Sequence, residues 1–360
     1  MFEHTYRNRT VLITGHTGFK GTWLSLWLNH LGSNVIGYAL KPPTQPSLFE
    51  LCALNTKITS IEGDVRDFDH LKSVIQKHKP EIIFHLAAQS LVRRSYYEPL
   101  ETYSTNVMGT LYLLDAIRQI GGVKVIINVT SDKCYENRES VRGYSENDPM
   151  GGRDPYSSSK GCAELVTTAY LHSYFNPEHY EKHGVSIASV RSGNVIGGGD
   201  WAEDRLIPDC IKALMEKRPI LVRYPEAVRP WQHVLEPLFG YILLAQLLYQ
   251  KGPTFGGAWN FGPEDSSAKP VRWIVERIVE DWGGKACWEI DQGFHPYEAH
   301  TLKLDCSKAK LKLGWHPQWD LETALRLTVD WYKAYGHHED ILPITVRQIE
   351  QYEDRIKRKG

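Results

Sequence analysis

Residues 10–21 read TVLITGHTGFKG, and this stretch decides the fold of the chain. Its first five residues are β-branched or apolar, which is the composition of a short buried strand. The next seven place glycines at Gly15, Gly18 and Gly21, and a segment rich in tryptophan and leucine follows with helical spacing. A strand that passes through a glycine-rich turn into a helix is the opening unit of a doubly wound α/β sheet.

The glycine-rich turn predicts a binding site for a dinucleotide. Glycine permits a tight turn and lets the backbone approach a pyrophosphate, which sits on the N-terminus of the helix. The spacing differs from G-x-G-x-x-G, and three glycines alone also fit a plain turn, but the flanking strand and helix favour the dinucleotide. We expect contacts from the turn and the start of the helix, namely Gly15, Thr17, Gly18, Phe19, Lys20 and Gly21.

Strands and helices alternate along much of the chain. Continuous apolar strands separated by helices indicate a parallel sheet that is covered on both faces. The sequence therefore predicts an α/β fold, a Rossmann-like doubly wound parallel sheet with a smaller, mixed α/β C-terminal substrate-binding region. The elements behind this prediction are strands at 34–38, 81–86, 124–129 and 185–190 and helices at 107–120, 156–175 and 321–335.

The chain changes in composition near residue 190, after which Gly and Pro are frequent and the elements become short. Because ligands bind at the carboxyl edge of open α/β sheets, we expect the later part to hold a second ligand there. The predicted parts are a dinucleotide-binding Rossmann-like domain at 1–190 with returns near 231–263 and 307–335, a ligand-binding region at 191–230 and 264–306, and a peripheral tail at 336–360.

The composition excludes several classes of partner. The 360 residues carry 42 basic and 43 acidic side chains, so no nucleic-acid partner is expected. No apolar run approaches the ~20 residues that span a bilayer, and the N-terminus lacks a signal peptide's apolar run, so no membrane partner is expected. Six scattered cysteines without a C-x-x-C pair are typical of a cytoplasmic protein. His179 and His183 have helical metal spacing but no third ligand nearby, so no metal is expected.

Tyr156 and Lys160 are four residues apart, so they share one face of the predicted helix. Tyrosine titrates near pH 10 and is a poor base at neutral pH, but a neighbouring ammonium favours the phenolate. Such a pair can take a proton from an alcohol while a hydride leaves the same carbon. Alone it would be a surface helix pair; its position after a strand ending in Thr130-Ser131 makes it a catalytic candidate.

Asp132 and Lys133 follow Ser131 and add a second acid and base to this site. An Asp-Lys pair is often only an exposed ion pair in a loop. Its position at the carboxyl end of a central strand favours a catalytic role and suggests more than one proton transfer. The Ser131 hydroxyl would hydrogen-bond the reacting oxygen.

The adenosine end of the dinucleotide site is less defined. Asp64, followed by Val65, lies where an apolar segment meets a turn and would accept from an adenine amino group; a helix N-cap is the alternative. The second strand ends in Ala39-Leu40-Lys41 instead of the acidic residue that usually binds the ribose hydroxyls. Since Lys41 would attract a 2′-phosphate, the choice between NAD and NADP stays open.

These motifs together resemble the extended short-chain dehydrogenase/reductase superfamily and, within it, the nucleotide-sugar 4,6-dehydratases. The resemblance runs from about residue 9 to about residue 332. Lys133 stands where the dTDP-glucose and GDP-mannose enzymes carry a glutamate, and Val222 where the dTDP-glucose enzymes usually place an aromatic residue. The further motifs are HLAAQS at 85–90, TNVxGT at 105–110, RxxNVIG at 191–197, RLIP at 205–208, RxWxHV at 229–234, NFG at 260–262 and LGWxP at 313–317.

The resemblance implies the ligands and the site residues. The cofactor would be NAD, with NADP not excluded, and the substrate CDP-glucose. A homodimer or homotetramer would form by pairing of the helices at 107–120 and 156–175. The catalytic residues would be Ser131, Asp132, Lys133, Tyr156 and Lys160. Cofactor contacts would add Asp64, Val65, Leu86, Ala87, Ala88 and Asn106, besides Tyr156 and Lys160. Substrate contacts would come from Gln89, Ser90, Asn194, Arg205, Leu206, Arg229, Asn260 and His295.

The reaction implied by the resemblance is a dehydration through transient oxidation at C4, elimination across C5 and C6, and hydride return to C6. Tyr156, with its pKa lowered by Lys160 and by the positive nicotinamide ring, would take the proton of the 4-hydroxyl. Lys133 would remove the C5 proton and Asp132 would protonate the departing 6-hydroxyl, although the reverse assignment is open. Another nucleotide-sugar 4,6-dehydratase, a 4-epimerase and a cofactor-sensing regulator on the same fold are the alternatives. The expected setting is deoxysugar and lipopolysaccharide biosynthesis.

Overall fold

The computed structural model describes residues 2–140, 142–284, 286–293 and 302–359. Its main feature is a sheet of seven parallel strands. The strands of the described chain are β1 (Thr10–Thr14), β2 (Asn34–Ala39), β3 (Thr59–Glu62), β4 (Ile82–His85), β5 (Val125–Val129), β6 (Ser186–Ser192), β7 (Val195–Ile196), β8 (Ile220–Val222), β9 (Val228–Pro230), β10 (Gln232–His233), β11 (Gly257–Phe261), β12 (Ala268–Pro270) and β13 (Trp288–Ile290).

Helices follow most of these strands and cover the sheet. The α-helices are α1 (Glu3–Tyr6), α2 (Phe19–His30), α3 (Leu48–Leu51), α4 (Phe68–His78), α5 (Val92–Tyr97), α6 (Pro99–Tyr103), α7 (Gly109–Ile120), α8 (Pro155–Ser173), α9 (Tyr180–His183), α10 (Leu206–Met215), α11 (Leu235–Lys251), α12 (Val271–Trp282), α13 (Ser307–Leu313), α14 (Leu321–Gly336) and α15 (Ile341–Lys359). A π-helical turn at Ser104–Met108 leads into α7.

The order of strands in the large sheet is β11-β6-β5-β4-β1-β2-β3. Successive strand residues point to opposite faces, so Leu12 joins the core beneath α4 and α7 while Val11 and Ile13 join the core beneath α2 and α11. The predicted Rossmann-like doubly wound parallel sheet is therefore confirmed. The strand order reverses between β1 and β4, and this is where open α/β sheets bind their ligands.

Three two-stranded sheets lie beyond β6: β7 with β10, β8 with β13, and β9 with β12. The first two pairs are parallel and the third is antiparallel, so this region is mixed α/β as expected. The strand β11 returns to the edge of the large sheet beside β6. The domain boundary placed at residue 190 falls inside β6, which ends at Ser192.

The predicted peripheral tail is wrong, because α15 packs into the core. Ile349 and Tyr352 are fully buried, and the Tyr352 hydroxyl donates to Glu236 Oε2 at 2.5 Å. Trp27 Nε1 donates to Glu353 Oε1 at 2.8 Å on the same side of the helix. The buried positions recur at helical spacing among polar residues, so one face of α15 is covered and its basic end is exposed. Among the described residues, no helix is both long enough and apolar enough to cross a membrane.

Candidate active site

The turn between β1 and α2 has the shape of an anion cradle. Gly15 has φ +77°, and a Cβ on Gly21 would lie 2.1 Å from Gly15 O, so both positions require glycine. Among the described residues, a Cβ on Gly18 would meet Gly15 O alone, at 3.5 Å, so this side of the turn is open. Gly18 is also the N-cap of α2, whose first-turn N–H groups have no partner within the helix. The turn therefore fits a pyrophosphate.

Neighbouring groups hold this turn in place. Thr17 Oγ1 donates to Leu40 O at 2.9 Å, which ties the turn to the end of β2. The Phe19 ring packs near Gly197, where a Cβ would lie 3.3 Å from Phe19 Cζ. Leu86 N donates to Thr14 O at 3.0 Å. Leu86, Ala87 and Ala88 are all half-buried, so the structure brings the end of β4 beside the glycine turn as predicted.

The adenosine-side residues lie at the same edge of the sheet. The Asp64 carboxylate follows β3 and accepts from Arg66 Nε at 2.9 Å and from Arg66 N at 2.9 Å. The helix-cap alternative for Asp64 is wrong, since α4 is capped by Asp67, which accepts from His70 N at 3.0 Å. Val65 is buried against Gly109, and Lys41 is exposed just beyond β2.

Asn106 and Gln89 are engaged inside the protein, which corrects their predicted ligand contacts. The Asn106 amide accepts from Gln89 N at 2.9 Å and donates to Gln89 O and to Ser159 Oγ. The Gln89 amide donates to Leu91 O and Thr102 Oγ1 and accepts from Leu91 N. Both side chains are buried; Asn106 fastens the loop after β4 to α8, and Gln89 fastens it to α6.

The five catalytic candidates meet at the carboxyl end of β5. Ser131 caps a single 3₁₀ turn over Asp132–Cys134: its Oγ accepts from Lys133 N at 3.2 Å and donates to Asp132 Oδ1 at 2.9 Å. Tyr156 lies in the first turn of α8, one turn before Lys160, whose Nζ donates to Val129 O at 3.4 Å. Lys133 is half-buried and the other four are buried.

The Tyr156 hydroxyl is buried, and this shifts its pKa. Burial raises the pKa of Tyr156 to about 12, and the nearby Ser131 hydroxyl is the largest influence in the opposite direction. The lowering by Lys160 together with the nicotinamide ring stays a prediction; in the protein alone, Lys160 Nζ donates to a backbone carbonyl. Burial also lowers the pKa of Lys160 to about 8, with the Glu164 carboxylate opposing the shift.

Asp132 is set up as a proton donor. Its carboxyl group is 3% exposed, and burial raises its pKa while the Lys133 ammonium acts against the shift. A Cβ at position 193 would lie 2.8 Å from Asp132 Oδ2, so Gly193 leaves the room that the carboxyl group occupies. A carboxylic acid whose pKa is raised by its surroundings can donate a proton at neutral pH.

Lys20 belongs to the glycine-rich turn, but its side chain extends towards the catalytic candidates. Lys20 Nζ donates to Ser192 Oγ at 2.8 Å. Burial and the Arg205 charge lower the pKa of Lys20 to about 7, and the Asp132 carboxylate opposes them. From the sequence, Lys20 was predicted to contact the cofactor alone. Its charge within a glycine-rich turn was the signal that could have indicated an interaction with the catalytic residues as well.

The predicted substrate residues lie along the other wall of the cleft. Arg205 Nη1 donates to Asp200 Oδ2 at 2.8 Å, and Arg205 Nη2 donates to Ser90 Oγ at 3.0 Å across the cleft. Leu206 begins α10. Arg229 lies on β9, and the backbone carbonyl of Asn194 accepts from Gln232 N at 3.0 Å.

Asn260 has a structural role, which corrects its predicted contact with substrate. It is fully buried, its Oδ1 accepts from the Tyr135 hydroxyl at 2.8 Å, and its Nδ2 donates to the backbone carbonyls of Tyr144 and Asp305. His295, the last predicted substrate residue, lies outside the described residues.

The model of the GDP-mannose 4,6 dehydratase family matches residues 12–328 of the chain. The chain belongs to this family. The predicted resemblance to the nucleotide-sugar 4,6-dehydratases is thereby confirmed.

Relatives of this dehydratase family match over nearly the whole chain. A CDP-glucose 4,6-dehydratase of Salmonella typhimurium is 57% identical over 97% of this chain and 98% of its own length. A dTDP-glucose 4,6-dehydratase of Xanthomonas campestris is 27% identical over 90% of this chain and 93% of its own. The dTDP-glucose 4,6-dehydratase of Streptomyces venezuelae, solved with NAD and TYD bound, shares the fold with a TM-score of 0.75 at 24% identity, covering 92% of this chain and 99% of that one.

The sequence did not predict one cluster of charged side chains in this dehydratase-family chain. Arg93 Nη1 donates to Asp204 Oδ1 at 2.8 Å, and Arg223 Nη1 donates to the same oxygen at 3.4 Å. The triad joins α5 to the loop before α10 and to the end of β8. Its members are far apart in the chain, so no local motif announces it.

Proposed function

We propose that this chain is an NAD-dependent hydro-lyase that converts CDP-glucose into CDP-4-dehydro-6-deoxy-D-glucose and water. The observation that carries the proposal is the buried Asp132 carboxyl group beside Ser131, at the strand end that also receives Tyr156 and Lys160. The relative that is 57% identical over 97% of the chain, a CDP-glucose 4,6-dehydratase, supports CDP-glucose as the substrate.

The cofactor would lie between the glycine turn and the end of β4. The open side of Gly18 and the first-turn N–H groups of α2 would hold the pyrophosphate, and Asp64 and Val65 would border the adenine. When bound, NAD would supply the hydride acceptor for the oxidation at C4, and its reduced form would supply the hydride donor for C6. The Streptomyces venezuelae dTDP-glucose 4,6-dehydratase, solved with NAD bound, supports NAD, and the exposed Lys41 is the group that would attract the 2′-phosphate of NADP.

The first proton transfer belongs to Tyr156. Its hydroxyl would take the proton of the sugar 4-hydroxyl, and the Ser131 hydroxyl would stabilise the charge that develops on the 4-oxygen. Because burial raises the pKa of Tyr156, the nearby cationic groups must favour the phenolate, and Arg205 is one such group.

The second and third proton transfers belong to the Asp132–Lys133 pair. Burial raises the pKa of Asp132, which favours its acid form, so we assign it the protonation of the departing 6-hydroxyl. Lys133, half-buried beside it, is assigned as the base that removes the C5 proton, a step that requires its amine to be uncharged. Arg205 and Arg229 would bind the diphosphate, with an amide contact from Asn194.

The experiment is turnover of CDP-, dTDP-, UDP- and GDP-glucose with NAD or NADP in catalytic amounts. We expect turnover of CDP-glucose to a 4-keto-6-deoxy sugar, detected by the absorbance of its enolate in base, without net accumulation of reduced cofactor. A 4-epimerase would instead yield CDP-galactose and no enolate signal, and preferential turnover of another nucleotide would overturn the CDP assignment.

The partner we propose is a second copy of the chain. Helices α6 and α7 both pack against α8, and large apolar side chains on or beside these helices are exposed, among them Leu100, Met108 and Leu165. We place the enzyme in the cytoplasm, because its six cysteines are unpaired in the described structure.

A further inference from the structure

A buried ion pair lies beneath the catalytic cluster, formed by Glu164 on α8 and Arg191 on β6. Arg191 Nε donates to Glu164 Oε1 and Arg191 Nη2 to Glu164 Oε2, both at 2.8 Å, which is a bidentate geometry. The two side chains are 2% and 4% exposed. A buried charge pair costs much desolvation, so its retention calls for an explanation other than stability.

Each partner of this pair also binds one end of the segment that carries the catalytic groups, residues 130–135, which we name the catalytic segment. At its start, Thr130 Oγ1 donates to Glu164 Oε1, and Ser189 Oγ adds a bond to Glu164 Oε2 at 2.6 Å. At its end, Arg191 Nη1 donates to the Tyr135 hydroxyl at 2.6 Å and its guanidinium lies 4.8 Å from the centre of the Tyr135 ring.

The same carboxylate faces the lysine of the Tyr156 pair. Glu164 lies one helical turn after Lys160 on α8, so the two side chains share a face of that helix. Glu164 is the largest influence that opposes the lowering of the Lys160 pKa by burial, and Cys134 on the neighbouring 3₁₀ turn acts in the same direction. Lys20 on α2 and His85 at the end of β4 also lie near enough to interact with the Lys160 charge. The ion pair is therefore in contact with the catalytic segment and near the lysine at the same time.

We propose that Glu164 and Arg191 are positioning residues that hold both ends of the catalytic segment and keep Lys160 in its ammonium form. The inference rests on the proposed dehydration, since it assigns Lys160 to the oxidation and the segment's Asp132 and Lys133 to the elimination. It goes beyond that function by coupling the two sets of groups through one buried pair.

The sign of the pH effect follows from the charge of Glu164. Activity requires charged Lys160, so it falls as pH rises through the Lys160 pKa of about 8. Removing the carboxylate charge lowers this pKa further. The alkaline limb of the kcat profile should therefore move to lower pH, whereas a purely structural defect would lower kcat equally at every pH.

The first test is Glu164→Gln, with the alkaline limb of kcat and the pH dependence of Lys160 acetylation as readouts, the latter followed by mass spectrometry. We expect both midpoints to fall by about one pH unit or more. Glu81→Gln is the matched control, because Glu81 also binds an arginine and a tyrosine hydroxyl but lies at the amino end of β4. Midpoints that stay at the wild-type value would overturn the role of Glu164.

The single variant leaves Arg191 as an unpaired buried charge and is at risk of unfolding. The double variant Glu164→Gln with Arg191→Met removes both charges, and we expect it to fold with a downward shift of both midpoints that is smaller than in the single variant, because loss of the Arg191 cation acts in the opposite direction. A folded double variant with wild-type midpoints would overturn the inference. The acetylation readout needs no turnover, so a wild-type enzyme inactive on every nucleotide sugar would refute the proposed function alone.

The second test addresses the far end of the catalytic segment. Tyr135→Phe removes the hydroxyl between Arg191 and Asn260 while Arg191 keeps its bonds to Glu164 and to the Glu146 carbonyl. We expect slower elimination with intact oxidation, seen as about tenfold more reduced cofactor in a single turnover. Tyr249→Phe, which loses a bond to Glu81, is the matched control. Equal amounts in Tyr135→Phe and wild type would overturn the positioning of the segment.

Discussion

Asp132 differs from the acidic residues around the cleft mouth because its carboxyl group is buried and its pKa is raised. Asp200 and Asp204, in contrast, form ion pairs with arginines. A carboxyl group with a raised pKa, adjacent to Ser131 and Lys133, is suited to assisting the departure of a hydroxyl group. It has no use in a simple exchange of hydride at C4.

Replacing Asp132 by asparagine should therefore separate the two halves of the reaction. Asp132→Asn keeps the shape but cannot donate the proton, so we expect kcat to fall about 10²- to 10⁴-fold while C4 oxidation continues. Stopped-flow absorbance should show reduced cofactor accumulating. Asp330→Asn, on the exposed face of α14, is the control. Unchanged kcat in Asp132→Asn would contradict the role.

Lys133→Met tests the other half of the pair by solvent deuterium entry at C5. We expect deuterium entry and turnover to fall together, since the methionine cannot remove the C5 proton. Full exchange with full turnover would remove Lys133 from the mechanism.

For single residues, the sequence predicted site residues that are neighbours in the chain, and it failed for residues whose partners are distant in the chain. Ser131, Asp132 and Lys133 are consecutive, and their strand-end position follows from the apolar run before them. Asn260 satisfied a family motif, but its partners Tyr144 and Tyr135 are more than 100 residues away. Whether an amide faces a ligand or a distant carbonyl depends on tertiary packing, which the motif does not contain.

At the scale of elements, the turn from β1 into α2 assigns different roles to glycines of one motif. A Cβ on Gly21 would clash with Gly15 O at 2.1 Å, whereas a Cβ on Gly18 would enter the open cradle. The sequence predicts where the glycines of the turn lie. Which of them faces the ligand depends on the backbone geometry at the start of the helix.

Gly18→Ala and Gly21→Ala should consequently differ in kind. We expect Gly18→Ala to fold with a near-native Tm and to bind NAD at least about tenfold more weakly, because the methyl group occupies the pyrophosphate position. We expect Gly21→Ala to lose about 1–3 kcal/mol of unfolding free energy, because backbone cannot yield to the methyl group. Calorimetry for NAD and urea unfolding measure the two effects, and an equal loss of stability in both variants would contradict the distinction.

For the whole molecule, the end of the chain completes the core. Glu236 is 1% exposed and accepts from Gln318 N, Trp319 N and the Tyr352 hydroxyl. Helix α15 therefore supplies one of the hydrogen-bond donors to this buried carboxylate. The polar composition of α15 concealed this, because only about one residue in three faces inward.

Tyr352→Phe should therefore destabilise the entire protein. Removing the hydroxyl takes a donor from a buried carboxylate, and we expect a loss of about 1–3 kcal/mol in the free energy of unfolding. Urea denaturation measures it, with Tyr335→Phe on the less buried face of α14 as the control. A loss confined to fraying of α15, with an unchanged midpoint for the sheet, would contradict the view that the tail is part of the core.

We propose that exposed apolar side chains on α6 and α8 form the contact with a second copy of the chain. Leu100 is 86% exposed and Leu165 is 60% exposed, and a second copy of the same face would bury both across a twofold axis. We expect Leu100→Glu and Leu165→Glu to shift the mass measured by light scattering towards the monomer, because each places two like charges in the contact. Leu311→Glu is the control, since Leu311 is 85% exposed on α13, away from this face. An unchanged mass in both interface variants, or an equal change in Leu311→Glu, would exclude this face. Because α8 also carries Tyr156 and Lys160, loss of the partner should lower kcat as well as mass, which links assembly to the chemistry at the end of β5.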